Sequence, residues 1–377
     1  MSAIHHLLLM SGLSMKRRSS FSRQLSLLAE AFRRLGIETG VIGPVPEEYT
    51  PVTGSGNRKE GLGETLRVSP RAQLEYVGSV CSENATDAVI MLGYPEQFPL
   101  LHLAPALHTP IFLWAQCSRP PNPDDFGEAT VIPLTPITGK LLRRGGVPSI
   151  GPVIPHGVDT GLFSPDEAYS ATQGRENSTE KPFIIGTVGA HSARKGFRSI
   201  LETCAGLQRT DCHFRLVIKT DRALSLDGTD IHQVARLHSV VERLTLITEE
   251  LDELHLRQLY REMDMYVNMS EWEGFCIPVV EAMACGVPVA AMPLQGPGEI
   301  VPYGDLVLPA SDTLVENGSI LLQADTEAAA EIICRALHNG ELLSRLSIEG
   351  VRTARSVYDI GVVARRWVDV IGSALGR

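Results

Sequence analysis

The sequence predicts an α/β protein with parallel sheets, divided into two domains. Near the N-terminus an apolar run, Ile4 to Met10, precedes a helical stripe of Leu25, Leu28, Ala29, Phe32 and Leu35, and a further run follows from Glu38 to Ile42. That is the strand–helix–strand order of a parallel βαβ unit. The same order recurs late in the chain, in Met263 to Met269, Val279 to Cys285 and Val287 to Met292. A length of 377 residues is more than one core usually organises, which sets two domains as the expectation.

Composition narrows the class. With 44% hydrophobic and 21% charged residues the chain reads as globular rather than disordered. No apolar run approaches the roughly eighteen residues of a membrane span. Leu7-Leu8-Leu9-Met10 has no basic residue before it and no small-residue cleavage site after it, so it reads as a buried first strand rather than a signal peptide. The seven cysteines are scattered without a C-x-x-C pair, which points to reduced thiols and a cytoplasmic protein and argues against a zinc site. Residues 1–160 carry 14 Lys/Arg and 14 Asp/Glu, so the whole net charge of −10 falls on the remainder, 20 against 30. The relatively basic N-terminal part is expected either to face an anionic acceptor or membrane surface, or simply to reflect surface variation.

In chain order, Ser11-Gly12-Leu13-Ser14 is a turn at the carboxyl end of the first strand, where such folds bind ligands, so Gly12 is expected to line a cleft. Gly36 ends the helix Ser20 to Leu35. Lys16-Arg17-Arg18 and Arg23 cluster at the start of that helix, where cations are unfavourable. They serve either an anionic acceptor or lipid headgroup, or form a solvated loop. Tyr49 to Leu66, rich in Gly, Pro, Ser and charge, reads as a mobile loop. Asp87 to Leu92, Pro110 to Trp114 and Thr130 to Leu134 are further strands, with a short helix at Gln97 to Leu107; His102 and His108 read as surface residues.

The domain boundary is placed near residue 166, giving domains 1–166 and 167–356 and a final helix 357–377. The polar stretch Tyr169 to Lys181 reads as an exposed interdomain segment. Phe183 to Val188 opens the second domain and leads through Gly189-Ala190-His191-Ser192-Ala193-Arg194-Lys195-Gly196 to a helix from Phe197. Phe214 to Ile218 is a strand with Lys219-Thr220 at its carboxyl end. Leu244 to Ile247 is another, with Thr248-Glu249-Glu250 after it and a helix at Leu254 to Arg261. Helices are read at Thr326 to His338, Glu341 to Ser356 and Tyr358 to Leu375.

The chemistry concentrates in the late βαβ unit. Its strand ends in the turn Ser270-Glu271-Trp272-Glu273-Gly274; Pro278 suits the first turn of the helix that follows, and Gly286 is placed to end it. A helix N-terminus favours phosphate, and Gly274 allows close backbone approach. Glu273 and Glu281 have seven residues between them. In a continuous helix their carboxylates would stand roughly 12 Å apart; with a turn between they can lie nearer and hold two ends of one elongated ligand, since carboxylates accept hydroxyl hydrogen bonds in pairs. The alternative on spacing alone is a surface turn with two solvated glutamates.

Read as S-x-x-E-G-F-C-I-P-V-V-E-A-M-A-C-G-V-P-V, Ser270 to Val289 resembles the signature of retaining, nucleotide-sugar-dependent glycosyltransferases of the GT-B fold, the family four type also called glycosyl transferases group 1. The resemblance implies two Rossmann-like domains facing each other across a cleft. The C-terminal one would hold a nucleoside-diphosphate sugar, with no cofactor and no metal. The N-terminal one would hold a glycan, lipid or small-molecule acceptor, with no nucleic acid and with peripheral membrane contact as a further expectation. Glu273 and Lys195 would be catalytic, Glu273 near the donor sugar's reacting face and Lys195 on the diphosphate. Gly12, Arg194, Lys195, Thr248, Gly274, Phe275, Cys276, Ile277 and Glu281 would bind the donor, Glu281 through the ribose hydroxyls. Gln295-Gly296-Pro297-Gly298-Glu299 would turn its N–H groups toward the donor sugar, and the last helix would cross back to the N-terminal domain.

Four departures stand out. Cys276 occupies the usual glycine position, and only Gly12 is present of a glycine pair. Ala190 takes the place of a phosphate-binding Arg, leaving Arg194 as a substitute. Ala115, Gln116, Cys117 and Ser118 stand where relatives carry an acceptor-side histidine. The competing expectations are a sugar-nucleotide 2-epimerase and a catalytically inactive glycosyltransferase-like binding module.

Overall fold

The computed structural model describes residues 4–13, 15, 19–44, 69–166, 181–316 and 319–376. Ser14, the Lys16-Arg17-Arg18 cluster, the loop Tyr49 to Leu66 and all of the Tyr169 to Lys181 segment except Lys181 lie outside the described residues. The chain forms two compact units, residues 1–157 with 360–377, and residues 158–359.

The first unit is a five-stranded parallel sheet in the order β2-β1-β3-β4-β5: β1 His6–Ser11, β2 Glu38–Ile42, β3 Ala88–Gly93, β4 Ile111–Ala115 and β5 Thr130–Pro133. Side chains alternate between the sheet's two faces. Leu7, Leu9, Ile90, Leu92, Phe112 and Trp114 pack on one side with α1 (Ser20–Arg34) and the C-terminal helix Ile360–Ala374. Leu8, Met10, Val89, Met91 and Leu113 pack on the other with α2 (Pro70–Glu83) and α3 (Pro136–Arg144). Both faces are covered, as a parallel sheet requires. The C-terminal helix contributes Trp367, fully buried, its ring edge-on to Trp114 at 5.5 Å and to Phe112 at 6.1 Å.

The second unit repeats the plan. Its parallel sheet has the order β10-β9-β6-β7-β8: β6 Phe183–Val188, β7 Phe214–Lys219, β8 Leu244–Ile247, β9 Met265–Asn268 and β10 Val289–Ala291. Ile185, Leu216, Met265, Val267 and Ala290 face a core shared with α4 (Phe197–Leu207), α5 (Ile231–Leu237) and α9 (Thr326–Leu337). Tyr266, Val289 and Ala291 face the opposite core, with α6 (Glu253–Arg261) and α7 (Ile277–Ala284). The remaining helices are α8 (Pro297–Ile300) and α10 (Gly340–Thr353). An antiparallel hairpin, β11 Ala310–Glu316 and β12 Ser319–Ala324, stands apart from the sheet.

Several elements depart from the expectations. The division falls at Gly157/Val158 rather than near residue 166 because Val158 and Phe163 are core residues of the second unit, and the Val158 N–H donates to the Tyr358 carbonyl. Gln97 to Leu107 is not an α-helix. The chain there forms the 3₁₀ segments Pro95–Gln97 and Pro99–Leu107, because Pro105 inside the second supplies no N–H for longer-range helical bonds. Glu341 to Ser356 widens at its end into a π-helical stretch, Ala354–Tyr358, before the helix breaks at Asp359. Helices α2, α3 and α5 and the hairpin were not anticipated. Ser69, Thr135 and Asp230 each cap a helix through the side chain, the local signal for these three helices.

Truncating Trp367 to Ala removes the largest side chain that the C-terminal helix inserts. The expected cost is about 3–5 kcal/mol of stability, read from chemical denaturation of the first unit's transition.

Candidate active site

In the second sheet the chain leaves β6 toward β7 and β8 and later returns to add β9 and β10 on the other side. The loops after β6 and β9 therefore diverge at the carboxyl ends of neighbouring strands, the point where open α/β sheets form a binding crevice. The loop after β6 carries Arg194 and Lys195 in a single 3₁₀ turn, Ala193–Lys195. The loop after β9 carries Ser270 to Cys276. Backbone contacts lock the two together. The Glu271 N–H donates to the Arg194 carbonyl at 2.8 Å. Gly196 has φ +68° and lies so close to β9's end that a Cβ there would sit 1.9 Å from the Met269 carbonyl oxygen, so only glycine fits.

The result is a convergence on Glu273, which is buried. Lys195 Nζ donates to its Oε1 and Arg194 Nη1 to its Oε2 at 3.0 Å. Ser270 Oγ adds a bond to Oε1 at 3.0 Å. Arg194 also donates to the Trp272 carbonyl at 3.0 Å, and its guanidinium lies 5.2 Å from the centre of the Trp272 ring, within cation–π range. Arg194 thus reaches from four residues beyond Ala190 to the carboxylate that Lys195 also grips. Burial alone would raise the Glu273 carboxyl, but Lys195 first and Arg194 second outweigh it and hold it below the usual carboxylate range. Two cations over one carboxylate leave the cluster one net positive charge, suited to a polyanionic ligand.

Helix α7 starts beside this cluster. Cys276 caps it at φ +77°, a conformation rare for a residue with a side chain, which accounts for a glycine being usual in the signature. Its thiol is buried, accepts a contact from Asn268 Nδ2 at 3.4 Å, and is pushed up to about 12 by burial and then by Glu273. Gly274 and Phe275 are buried and Ile277 half-buried. Phe275 packs edge-on against Tyr358 at 5.9 Å. Within α7, Glu281 is also buried, and its Oε2 accepts a hydrogen bond from the Tyr260 hydroxyl at 2.8 Å. Thr248 follows β8, two strands from β6, and its N–H donates to the side chain of its neighbour Glu249 at 3.2 Å.

The expected donor-facing N–H groups of Gln295 to Glu299 are largely used internally. Gly296 N donates to the Glu299 carboxylate, Gly298 N to the Leu294 carbonyl and Glu299 N to the Gly296 carbonyl, because Gly296 starts the short helix α8. Gly12 belongs to the first unit, where it follows β1. A Cβ there would come 2.2 Å from Gln97 Oε1, so close approach explains the glycine. Nearby, Gln97 Oε1 accepts from the Tyr94 N–H at 2.8 Å and Gln116 Nε2 donates to the Tyr94 hydroxyl at 2.6 Å. Sequence reasoning passed over Tyr94 and left Gln97 and Gln116 without a role. Their one signal was position, directly after β3 and β4. Ser270 and Tyr260 were missed in the same way. Among the described residues no group of three or more His, Cys, Asp or Glu side chains is arranged to hold a metal ion, and no helix is long and apolar enough to cross a membrane.

A doubly wound unit with cations at its switch point is the architecture of a nucleotide-binding α/β domain. Comparison with known proteins specifies it. The model of the family described as glycosyl transferases group 1 matches residues 182–339, within the second unit. The chain is 29% identical over 227 residues to the MMP α-(1→4)-mannosyltransferase of Mycolicibacterium hassiacum, covering 60% of this chain and 49% of that one. It is 24% identical over 210 residues to a lipopolysaccharide core biosynthesis mannosyltransferase of Rhizobium meliloti, covering 54% and 56%. The chain thus spans about half the length of these curated relatives. Among solved structures, sucrose-phosphate synthase of Thermosynechococcus elongatus superposes with a TM-score of 0.76 at 17% identity, over 99% of both chains. The Anabaena protein HepE in complex with UDP and glucose gives 0.67 at 17%, over 98% and 100%. The fold is GT-B.

Two outcomes follow from this geometry. Cys276→Gly should fold and keep the site, whereas Cys276→Val, β-branched at positive φ, should lower the melting temperature by several degrees, roughly 2 kcal/mol, in a thermal scan. Glu273 has a depressed pKa, so its contribution to stability is full above its ordinary value of 4.5 and is lost as the pH falls through the lower folded value. Glu273→Gln should therefore be less stable than the parent near neutrality, by about 3 kcal/mol. Melting curves across pH should show that gap closing only below about pH 4.

Proposed function

We propose that this protein is a glycosyltransferase that moves a sugar from a nucleoside-diphosphate sugar to an acceptor hydroxyl with retention of anomeric configuration. The observation that carries this reading is the convergence of Lys195 and Arg194 on Glu273 at the sheet's switch point, beside the start of α7. The nearest chemistry for such a site is departure of a diphosphate. As the bond between the anomeric carbon and the phosphate oxygen breaks, negative charge grows on the diphosphate, and Lys195 and Arg194 stabilise it where it develops. These two side chains supply the positive charge in this reading, which assigns no metal and no cofactor. Arg194 does the work expected of the residue that Ala190 replaces.

Glu273 accepts hydrogen bonds from the donor sugar's hydroxyls and keeps the two cations apart and oriented. Glu281 accepts from the ribose hydroxyls. The acceptor oxygen bonds to the anomeric carbon on the face that the phosphate leaves, and its proton passes to the departing phosphate oxygen, so no enzyme base is required where relatives place a histidine. Acceptor hydroxyls are assigned to the first unit, where Tyr94, Gln97 and Gln116 gather at the carboxyl ends of β3 and β4. The relatives' names make GDP-mannose and UDP-glucose the first donors to try, with a glycan, lipid or small-molecule acceptor. Catalysis on a cytoplasmic face, with peripheral membrane contact, is the setting this reading expects.

The test is a thermal-shift panel of UDP, GDP and their sugars. At a hundredfold excess over Kd a specific ligand adds about 2.7 kcal/mol. One base should stabilise the protein, and Lys195→Ala should remove the shift. Glu273→Gln should keep nucleotide binding but lower transfer by about 10²–10³-fold. Nucleoside diphosphate released only with acceptor present separates transfer from epimerisation. A binding-only module would show the shift and no turnover on any acceptor. Absence of a shift with every nucleotide would overturn the reading.

A further inference from the structure

Glu281 is a carboxylate on a short, apolar helix, and it is buried to 1% exposure. Its neighbours on α7 are Val280, Ala282 and Met283, which cannot orient it. A group that does comes from another helix. Tyr260, the penultimate residue of α6, is fully buried and donates its hydroxyl to Glu281 Oε2 at 2.8 Å. The ring is itself fixed, edge-on to Phe163 at 6.1 Å and tilted on Tyr266 at 6.1 Å. The end of α6 is tied down next door. Arg261 donates to the carbonyls of Ser164 at 2.8 Å and Pro165 at 2.9 Å and to the Asp166 carboxylate at 2.6 Å. The ring that carries the Tyr260 hydroxyl and the end of α6 are thereby held in place.

We infer that Tyr260 is a positioning residue. Its hydroxyl fixes the rotamer of Glu281 so that the carboxylate meets the hydroxyls of a nucleotide's ribose in one geometry, and it makes the site selective for ribonucleotides. This rests on the reading of Glu281 as the ribose-binding residue and adds the group that sets its direction. A carboxylate accepts hydrogen bonds at two oxygens, which suits it to the paired hydroxyls of a vicinal diol. Burial and the neighbouring Glu281 charge raise the Tyr260 phenol well above its ordinary value, so it remains a donor.

The experiment compares binding of UDP and GDP with that of their 2′-deoxy and 3′-deoxy counterparts, by calorimetry on the full chain. For whichever base binds, the parent protein should prefer the ribonucleotide by about tenfold or more, the value of hydrogen bonds to a charged group. Tyr260→Phe removes one oxygen and keeps the ring in its aromatic setting. It should reduce the preference to within about twofold while the deoxynucleotides bind nearly as before. A merely structural Tyr260 would weaken all the nucleotides alike and leave the ratio untouched, and that outcome overturns the inference while leaving the role of Glu281 intact. A parent protein without ribose preference overturns both. Should Tyr260→Phe fold poorly by circular dichroism, the decision passes to 3-fluorotyrosine at position 260. That residue keeps the hydroxyl as a stronger donor and should raise the ratio; an unchanged ratio counts against the inference. Adding Tyr260→Phe to Glu281→Gln should change the ratio no further, since the two act as one unit. An additive loss would show that Tyr260 works independently of Glu281.

Discussion

A carboxylate cannot stay ionised in a protein interior unless cations or dipoles replace the water it has lost. Glu273 meets that constraint with Lys195 and Arg194, and much of the second unit's local architecture serves to bring them there. The β6 loop must come close enough to the end of β9 that Gly196 tolerates no side chain. The 3₁₀ turn must send two consecutive side chains to one target. The β9 loop must curl so that Cys276 takes up a left-handed conformation before α7 can begin. Each is locally unfavourable, and each is explained by the ionic cluster it completes.

The cluster also explains why a ligand would be welcome. A triad with one carboxylate and two cations is under-neutralised, and Arg194 keeps 40% of its side chain exposed. On the proposed reading, an incoming diphosphate meets a cation already oriented by Trp272 and Glu273 rather than a mobile surface arginine. Orientation before binding lowers the entropic cost of the encounter.

Much of this was legible in the sequence. Apolar runs mark the ten strands of the two parallel sheets, because both faces of a parallel sheet must be apolar. The paired glutamates and the Lys-Gly step point to the candidate site because each lies in a short local motif. What was not legible depends on partners distant in sequence. Nothing near Tyr260 announces a bond to a residue 21 positions away. Ala190 suggests a lost cation until the 3₁₀ turn shows where Arg194 points. The hairpin was an omission of another kind, since an Asn-Gly step, here at 317–318, is a local hairpin signal in the sequence. Pro105 likewise forbade an α-helix that the apolar pattern suggested.

The second unit begins at Val158 and ends at Asp359, and these two residues pair side by side as a parallel bridge. Topologically it is an insertion in the first unit, whose last helix is made only after the whole insertion. The order in which the two units can finish folding therefore runs against chain order. The N-terminal sheet emerges first but lacks the tryptophan that closes one of its faces, while the second unit has all its parts as soon as residue 359 appears. The unit that starts later is the first that can finish folding, and the sheet of the first unit waits with one apolar face only partly covered, by α1, until residues 360–377 arrive.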